Sequence, residues 1–301
     1  MIKKTVVGIG EALWDCLPEG RKFGGAPTNF AYHCGQFGLQ SYAVSALGND
    51  ALGDEIADIC RQKGLQAIMP RVPYETGTVQ VVLDEQGIPQ YDIRQGVAWD
   101  HIPYTPQMGA LAARADAVCW GSLAQRSAES RQTIRCFLQA MPQNALKVFD
   151  INLRQSFYTW EIIEDSLKAC NVLKINDEEL IVLANLPAMH DKGATLSGSE
   201  CLTQLPPRLI KAYGLDLLIL TCGAEGSYTF QADGTCFFQK TPHVEVADTV
   251  GAGDSFTAAF VSMLLLGAPV LDAHRRAVDV SAYVCTQHGA MPQLPAEFVS
   301  P

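Results

Sequence analysis

Short apolar runs alternate with longer stretches of helical period along this chain, and that alternation limits the fold more than any other feature. Thr5–Ile9, Tyr42–Ala46, Ala117–Trp120, Lys147–Ile151, Val172–Ile175 and Leu217–Thr221 are nearly all apolar. Strands covered on both faces read that way, and strands alternating with helices give a parallel sheet between two helical layers. Helical patterns fall at Thr28–Phe37, Leu52–Lys63, Ser127–Met141 and Asp177–Ala184, with Gly64 placed to end the second. The expectation is an α/β, doubly wound sandwich with a mainly parallel central sheet. The 301 residues are 48% hydrophobic, enough for one large domain or two ordinary ones. With no linker, repeat or low-complexity tract, a single domain over residues 1–301 is expected.

Two regions break the rhythm. Thr78–Leu83 and Gln90–Arg94 look like strands joined by a turn, Asp84–Pro89, that contains Gly87. Ala12–Phe23 fits poorly as a helix because Pro18 and Gly20 interrupt it. These pieces are expected to form a small projecting β-sheet, a lid built from roughly residues 12–23 and 75–99. A second hairpin is expected at Ser227–Phe230 and Cys236–Gln239, and a surface loop at Pro187–Glu200. Phe256–Leu266 reads as an apolar helix too short to span a bilayer.

Charge and cysteines remove several function classes. There are 22 Lys plus Arg against 32 Asp plus Glu, a formal charge of −10, which argues against a nucleic-acid surface. An anionic small substrate stays open, because local fields decide its binding. No two of the ten cysteines have CxxC spacing, so a zinc site is not expected. The N-terminal run is short and broken by glycines, unlike a signal peptide. A cytoplasmic protein with no membrane partner is expected.

The segment Asp248-Thr249-Val250-Gly251-Ala252-Gly253-Asp254-Ser255-Phe256 runs from small residues into the apolar helix. Such a loop aims backbone N–H groups outward, and the helix dipole adds positive charge, which suits a phosphate. A carboxylate there repels a phosphate unless it has a task, and Asp254 is suited to taking a proton from an attacking hydroxyl. By itself the segment also suits an N-capped helix with an ordinary glycine turn. Gly24-Gly25-Ala26-Pro27-Thr28-Asn29 likewise reads as a sugar cradle or as a tight turn before a capped helix.

The sequence DTVGAGDSFTAAF resembles the C-terminal signature of the ribokinase-like (PfkB) carbohydrate kinases, and Gly24 to Gly48 resembles their N-terminal signature. The wording GEALWD with GGAPTNFA is most similar to the bacterial fructokinase branch. The resemblance covers nearly the whole chain and implies a ribokinase-like sandwich with a β-sheet lid. It assigns Asp254 as catalytic base and Gly251, Ala252 and Gly253 to the anion hole, with Arg154 of Asp150-Ile151-Asn152-Leu153-Arg154 steadying the phosphates. Asp15, Gly24, Gly25 and Asn29 would hold the sugar, and Arg94 would touch the sugar or the phosphate. Asn176 and Glu179 match the NxxE pattern tied to magnesium, with Glu179 acting indirectly. Thr221, Gly223 and Gly226 would lie on the ATP side. A monovalent cation, K+ in this family, would use Asp248, the Val250 carbonyl and the Cys285–Gly289 segment. The implied activity is transfer of phosphate from ATP, with Mg2+, to the 6-hydroxyl of D-fructose, in a homodimer paired through the lid.

Rivals fare less well. The third glycine of a dinucleotide fingerprint starting at Gly8 would fall at Leu13, and no GxxxxGK[ST] occurs. The alternatives that keep the fold are kinases of ribose, 2-keto-3-deoxygluconate or a nucleoside. A catalytically silent sugar-binding regulator is more distant, since Asp254 is intact. His33, His101 and His243 prompt no role.

Overall fold

A computed structural model describes residues 3–17, 20–83, 89–186 and 198–299. The strands are β1 (Thr5–Ile9), β2 (Leu13–Leu17), β3 (Gly20–Gly24), β4 (Gln40–Val44), β5 (Leu47–Gly48), β6 (Gln66–Ile68), β7 (Arg71–Val72), β8 (Gly77–Leu83), β9 (Pro89–Ile93), β10 (Ala117–Trp120), β11 (Leu146–Asp150), β12 (Val172–Asn176), β13 (Leu217–Thr221), β14 (Ser227–Gln231) and β15 (Cys236–Gln239). Nine of them form one sheet in the order β15-β14-β13-β12-β11-β10-β1-β4-β6. Its pairs are parallel from β6 to β13 and antiparallel only at the β13-β14-β15 edge.

Neighbouring residues of a strand face opposite sides, and the core records this directly. Val6, Cys119, Val148, Val172 and Ile219 pack under helices Ala26–Gln36, Ala252–Leu265 and Val270–Cys285. Val7, Val118, Phe149, Leu173 and Leu218 pack on the other side, with Ile134, Leu167, Leu183 and Leu209 of four further helices. Those helices are Ala128–Ala140, Trp160–Ala169, Asp177–Ala184 and Gly198–Tyr213. Both faces are covered, as the unbroken apolar strands require.

β2, β3, β8 and β9 form a separate sheet in the order β3-β2-β8-β9, parallel only between β2 and β8. The expected small sheet is thus present, although the turn within Asp84–Pro89 lies mostly outside the described residues. The expected strand at Tyr42–Ala46 is shifted to Gln40–Val44, because pairing with Thr5–Ile9 sets its register. The expected loop at Pro187–Glu200 ends early: residues 187–197 lie outside the described chain, and a helix starts at Gly198. Pro206 and Pro207 inside that helix hide it from a reading by period and breakers. The apolar helix begins at Ala252, not Phe256, so Gly253 and Asp254 belong to its first turn.

Chain order reverses at β1. From it the chain steps to β4 on one side, and later to β10 on the other. Open α/β sheets bind ligands at such a reversal, outside the carboxyl ends of the strands.

Candidate active site

The segment after β1 and the start of helix Ala26–Gln36 press together at this reversal. Gly25, the residue before that helix, has φ 113°, and a Cβ on it would come within 2.3 Å of the Glu11 carbonyl. Only glycine accepts both conditions. The helix then carries Asn29 inward, where its side-chain amide donates to Asp254 Oδ2 at 2.7 Å.

Asp254 stands in the first turn of helix Ala252–Leu265, which no side chain caps. Gly251 precedes it in the left-handed region, φ 80°, and a Cβ there would meet Ala290 Cα at 2.7 Å. Ala290 is held in turn by His33, whose ring Nε2 donates to its carbonyl at 2.8 Å. Burial pushes the His33 ring down to about 4, so it stays neutral, and its Nδ1 is free to accept from the Gln36 side-chain amide at 3.2 Å. The uncapped turn therefore presents amide N–H groups and the positive end of the dipole, beside a carboxylate.

Burial is the main force on that carboxylate, pushing Asp254 up to about 7. The Asn29 hydrogen bond and the charges of Lys174 and Arg154 oppose the rise, while Asp150 adds to it. A carboxyl that titrates near neutral pH is suited to general-base work. Below it lies a buried ion pair. Lys174 Nζ donates to Asp150 Oδ1 at 3.1 Å, and Thr257 Oγ1 donates to Asp150 Oδ2 at 3.2 Å. A cavity above this pair is lined by Pro27, Cys119, Asp150, Asn152, Asp254 and Thr257. Asn152 has φ 43°, a conformation that its short polar side chain tolerates and that marks the strand end as unusual.

Residues 19–297 match the model of the "pfkB family carbohydrate kinase". This chain belongs to the pfkB family of carbohydrate kinases. The kinase is 27% identical over 317 residues to a fructokinase of Solanum tuberosum, covering 97% of this chain and 93% of that protein. It is 26% identical over 309 residues to an ATP-dependent 6-phosphofructokinase of Thermoanaerobacterium thermosaccharolyticum, covering 97% and 91%. Its fold matches the crystal structure of a fructokinase with bound ATP from Xylella fastidiosa with a TM-score of 0.83 at 22% identity, over 99% of this chain and 97% of that one. The family and the fold are those expected from the two signatures.

Of the residues that the resemblance singles out, Asn29 and Arg154 act directly on Asp254 in the pfkB kinase. Asp15 on β2 is half-buried, and burial pushes it up to about 6 against the pull of Arg154 and Lys22. Gly24 lies beside it, a Cβ there reaching Asp15 Oδ2 at 3.0 Å. Arg154 is exposed, and its charge acts on Glu11, Asp15 and Asp254. Arg94 follows β9, exposed, with Nη1 3.6 Å from Glu75. Thr221 ends β13 beside Asn176 of β12, and Gly223 and Gly226 bound the short turn that follows, with φ 53° and 137°.

Asn176 and Glu179 form a capping box, each side chain accepting from the other's backbone N–H, and Leu153 N–H donates to Glu179 as well. Both Glu179 oxygens are therefore taken by amides. These residues fit a magnesium ion that arrives on the nucleotide and is reached through water, not one held directly by Glu179. No cluster of three or more His, Cys, Asp or Glu that could hold a metal occurs among the described residues. Asp248, expected to hold a monovalent ion, already accepts from three donors: Val250 N–H on its Oδ1, and Gly289 N–H and Lys22 Nζ on its Oδ2.

Sequence reasoning missed Lys174, Lys22 and the bond from Asn29 to Asp254. Lys174 did carry a signal, being a lone charge in the apolar run Val172-Leu173-Lys174-Ile175. The other two depend on chain crossings between residues more than 220 positions apart.

Proposed function

We propose that this carbohydrate kinase is an ATP-dependent fructokinase in which Asp254 is the catalytic base. The observation that carries the reading is the Asp254 carboxyl, held by Asn29 at 2.7 Å on the uncapped first turn of a helix. Asp254 removes the proton from the 6-hydroxyl of D-fructose, and that oxygen attacks the γ-phosphate in line. The first-turn amides of Gly251 to Asp254, with Arg154, stabilise charge on the transferred group. The products are fructose 6-phosphate and ADP. Magnesium, carried in by ATP, supplies neutralisation of the phosphate charge. Asp15, Gly24 and Gly25 face the sugar, and Thr221, Gly223 and Gly226 the nucleotide. The second sheet acts as a lid, and its closure excludes water that would otherwise hydrolyse ATP. The GEALWD and GGAPTNFA wording and the fructokinases among the relatives support fructose over other sugars.

The test is ADP formation from Mg-ATP by purified protein with fructose, ribose, 2-keto-3-deoxygluconate, fructose 6-phosphate, tagatose and adenosine. Fructose should give the highest kcat/KM. Preference for another member would retain the base and move the substrate. No sugar-dependent ADP from folded protein would overturn the kinase reading of the site.

A second expectation concerns Asn29. Its amide favours the ionised form of Asp254. In Asn29→Ala the ascending limb of kcat/KM against pH should move up by about one unit, the scale of a hydrogen bond to a charged group. An unmoved limb, with only KM raised, would assign Asn29 to the sugar alone.

A further inference from the structure

We propose that Lys22 is a tethered cation: its ammonium supplies at Asp248 the positive charge that the family resemblance assigns to a monovalent ion, so that turnover does not require potassium. The inference rests on the kinase reading above, and it comes from a disagreement between the expected ion site and the residues found there. Lys22 lies on β3, opposite Asp15 of β2, in the second sheet. Its Nζ donates to Asp248 Oδ2 at 3.3 Å. The stem crosses Gly289 closely enough that a Cβ on that glycine would lie 3.9 Å from Lys22 Cδ. The same Asp248 oxygen accepts from Gly289 N–H at 3.0 Å, and the other accepts from Val250 N–H at 3.0 Å.

A bare monovalent cation must exchange its water for a shell of free oxygens. Here the carboxylate is already bound by two amides and an ammonium. The Cys285 carbonyl, another expected ligand, accepts from Ala247 and Asp248 N–H at 2.8 and 3.2 Å. An added ion would have to settle beside a like charge on the same carboxylate, which is unfavourable. Lysine suits the place because its compact charge sits on a flexible stem.

The pair also gives the charge a use. Asp248 fixes the amides of Val250 and Gly289 on either side of the glycine turn that leads to Asp254. Left unneutralised, its negative charge would face incoming phosphates. Because Lys22 belongs to the second sheet, neutralisation comes with the placement of that sheet over the site.

The experiment compares the full chain with Lys22→Gln and Lys22→Arg in potassium, sodium and choline chloride at equal ionic strength. It reads the rate of ADP formation with fructose, and separately the melting temperature of the protein without substrates. Wild-type and Lys22→Arg rates should agree within about twofold across the salts, and their melting temperatures should not depend on the cation. Lys22→Gln should lose about fivefold in choline, the upper end for a half-exposed ion pair, and potassium should restore most of it. Potassium should also raise the melting temperature of Lys22→Gln alone. Strong slowing of the wild type in choline, or potassium-dependent melting of the wild type, would overturn the proposal. So would a Lys22→Gln variant that matches the wild type in every salt. If no sugar in the panel gives ADP, the kinase reading fails, and the melting arm still decides the role of Lys22.

Discussion

Asp254→Asn should lower kcat by at least ~10²-fold, the low end for loss of a general base, and should at the same time stabilise the fold above pH 7. The two effects share one cause. The carboxyl sits where burial opposes its charge, and its protonation rises from the usual carboxylate range to about 7. Between the ordinary value of 3.8 and about 7, the folded chain holds a proton that the unfolded chain releases. Stability therefore falls as pH rises through that window, and the full cost is present above pH 7. Asparagine has the same shape and no charge to bury. Its oxygen can accept the Asn29 amide, so the local bond survives. The gain should be on the order of 2 kcal/mol at pH 8 and should vanish toward pH 4. Melting curves of both proteins at pH 5 and pH 8, run beside the ADP assay, check both halves. A variant with near-full activity would remove Asp254 from the base role. An inactive variant with an unchanged melting curve at pH 8 would keep the base and contradict the burial argument.

Much of this architecture was legible because it rests on local pattern. Strands such as Thr5–Ile9, Ala117–Trp120 and Leu217–Thr221 lie where their apolar runs begin and end, since burial on both faces favours a nearly continuous apolar run. The helix Asp177–Ala184 is also legible, because Asn176 and Glu179 announce its capping box. Helix Gly198–Tyr213 was not, because two prolines lie in it and only its packed face, with Leu205 and Leu209, overrides them. At the site, glycines reveal where the backbone turns but not what they press against. That Gly25 abuts Glu11, or Gly251 abuts Ala290, follows from the assembled sheet. Partners of charged groups are harder still. The pair Lys22 with Asp248 joins the second sheet to the far end of the chain, and nothing near either residue in sequence points to the other.

Lys174→Met should be the most destabilising single change in the site, costing about 3–5 kcal/mol, the scale for breaking a buried ion pair. Burial alone would push the Lys174 ammonium down, but the charges of Asp150, Glu179 and Asp254 outweigh it and hold it up. Lys174 and Asp150 are both nearly inaccessible, 7% and 5% exposed. Removing the cation leaves Asp150 with a hydrogen bond from Thr257 and no counter-charge, with two more carboxyls close by. Water cannot make up the loss at such burial. A domain is stable by about 5–15 kcal/mol, so the variant should unfold at a much lower urea midpoint. Lys4→Met supplies the contrast, because the Lys4–Asp116 pair is 49% and 30% exposed and such pairs contribute about 1 kcal/mol or less. The double variant Lys174→Met/Asp150→Asn should recover a large part of the loss, since it removes the stranded charge together with its partner. If the double variant were no more stable than Lys174→Met, the stranded Asp150 charge would not be the cause. If Lys174→Met cost no more than Lys4→Met, the buried pair would contribute little to the fold, and its place beneath Asp254 would have to be explained by the reaction alone.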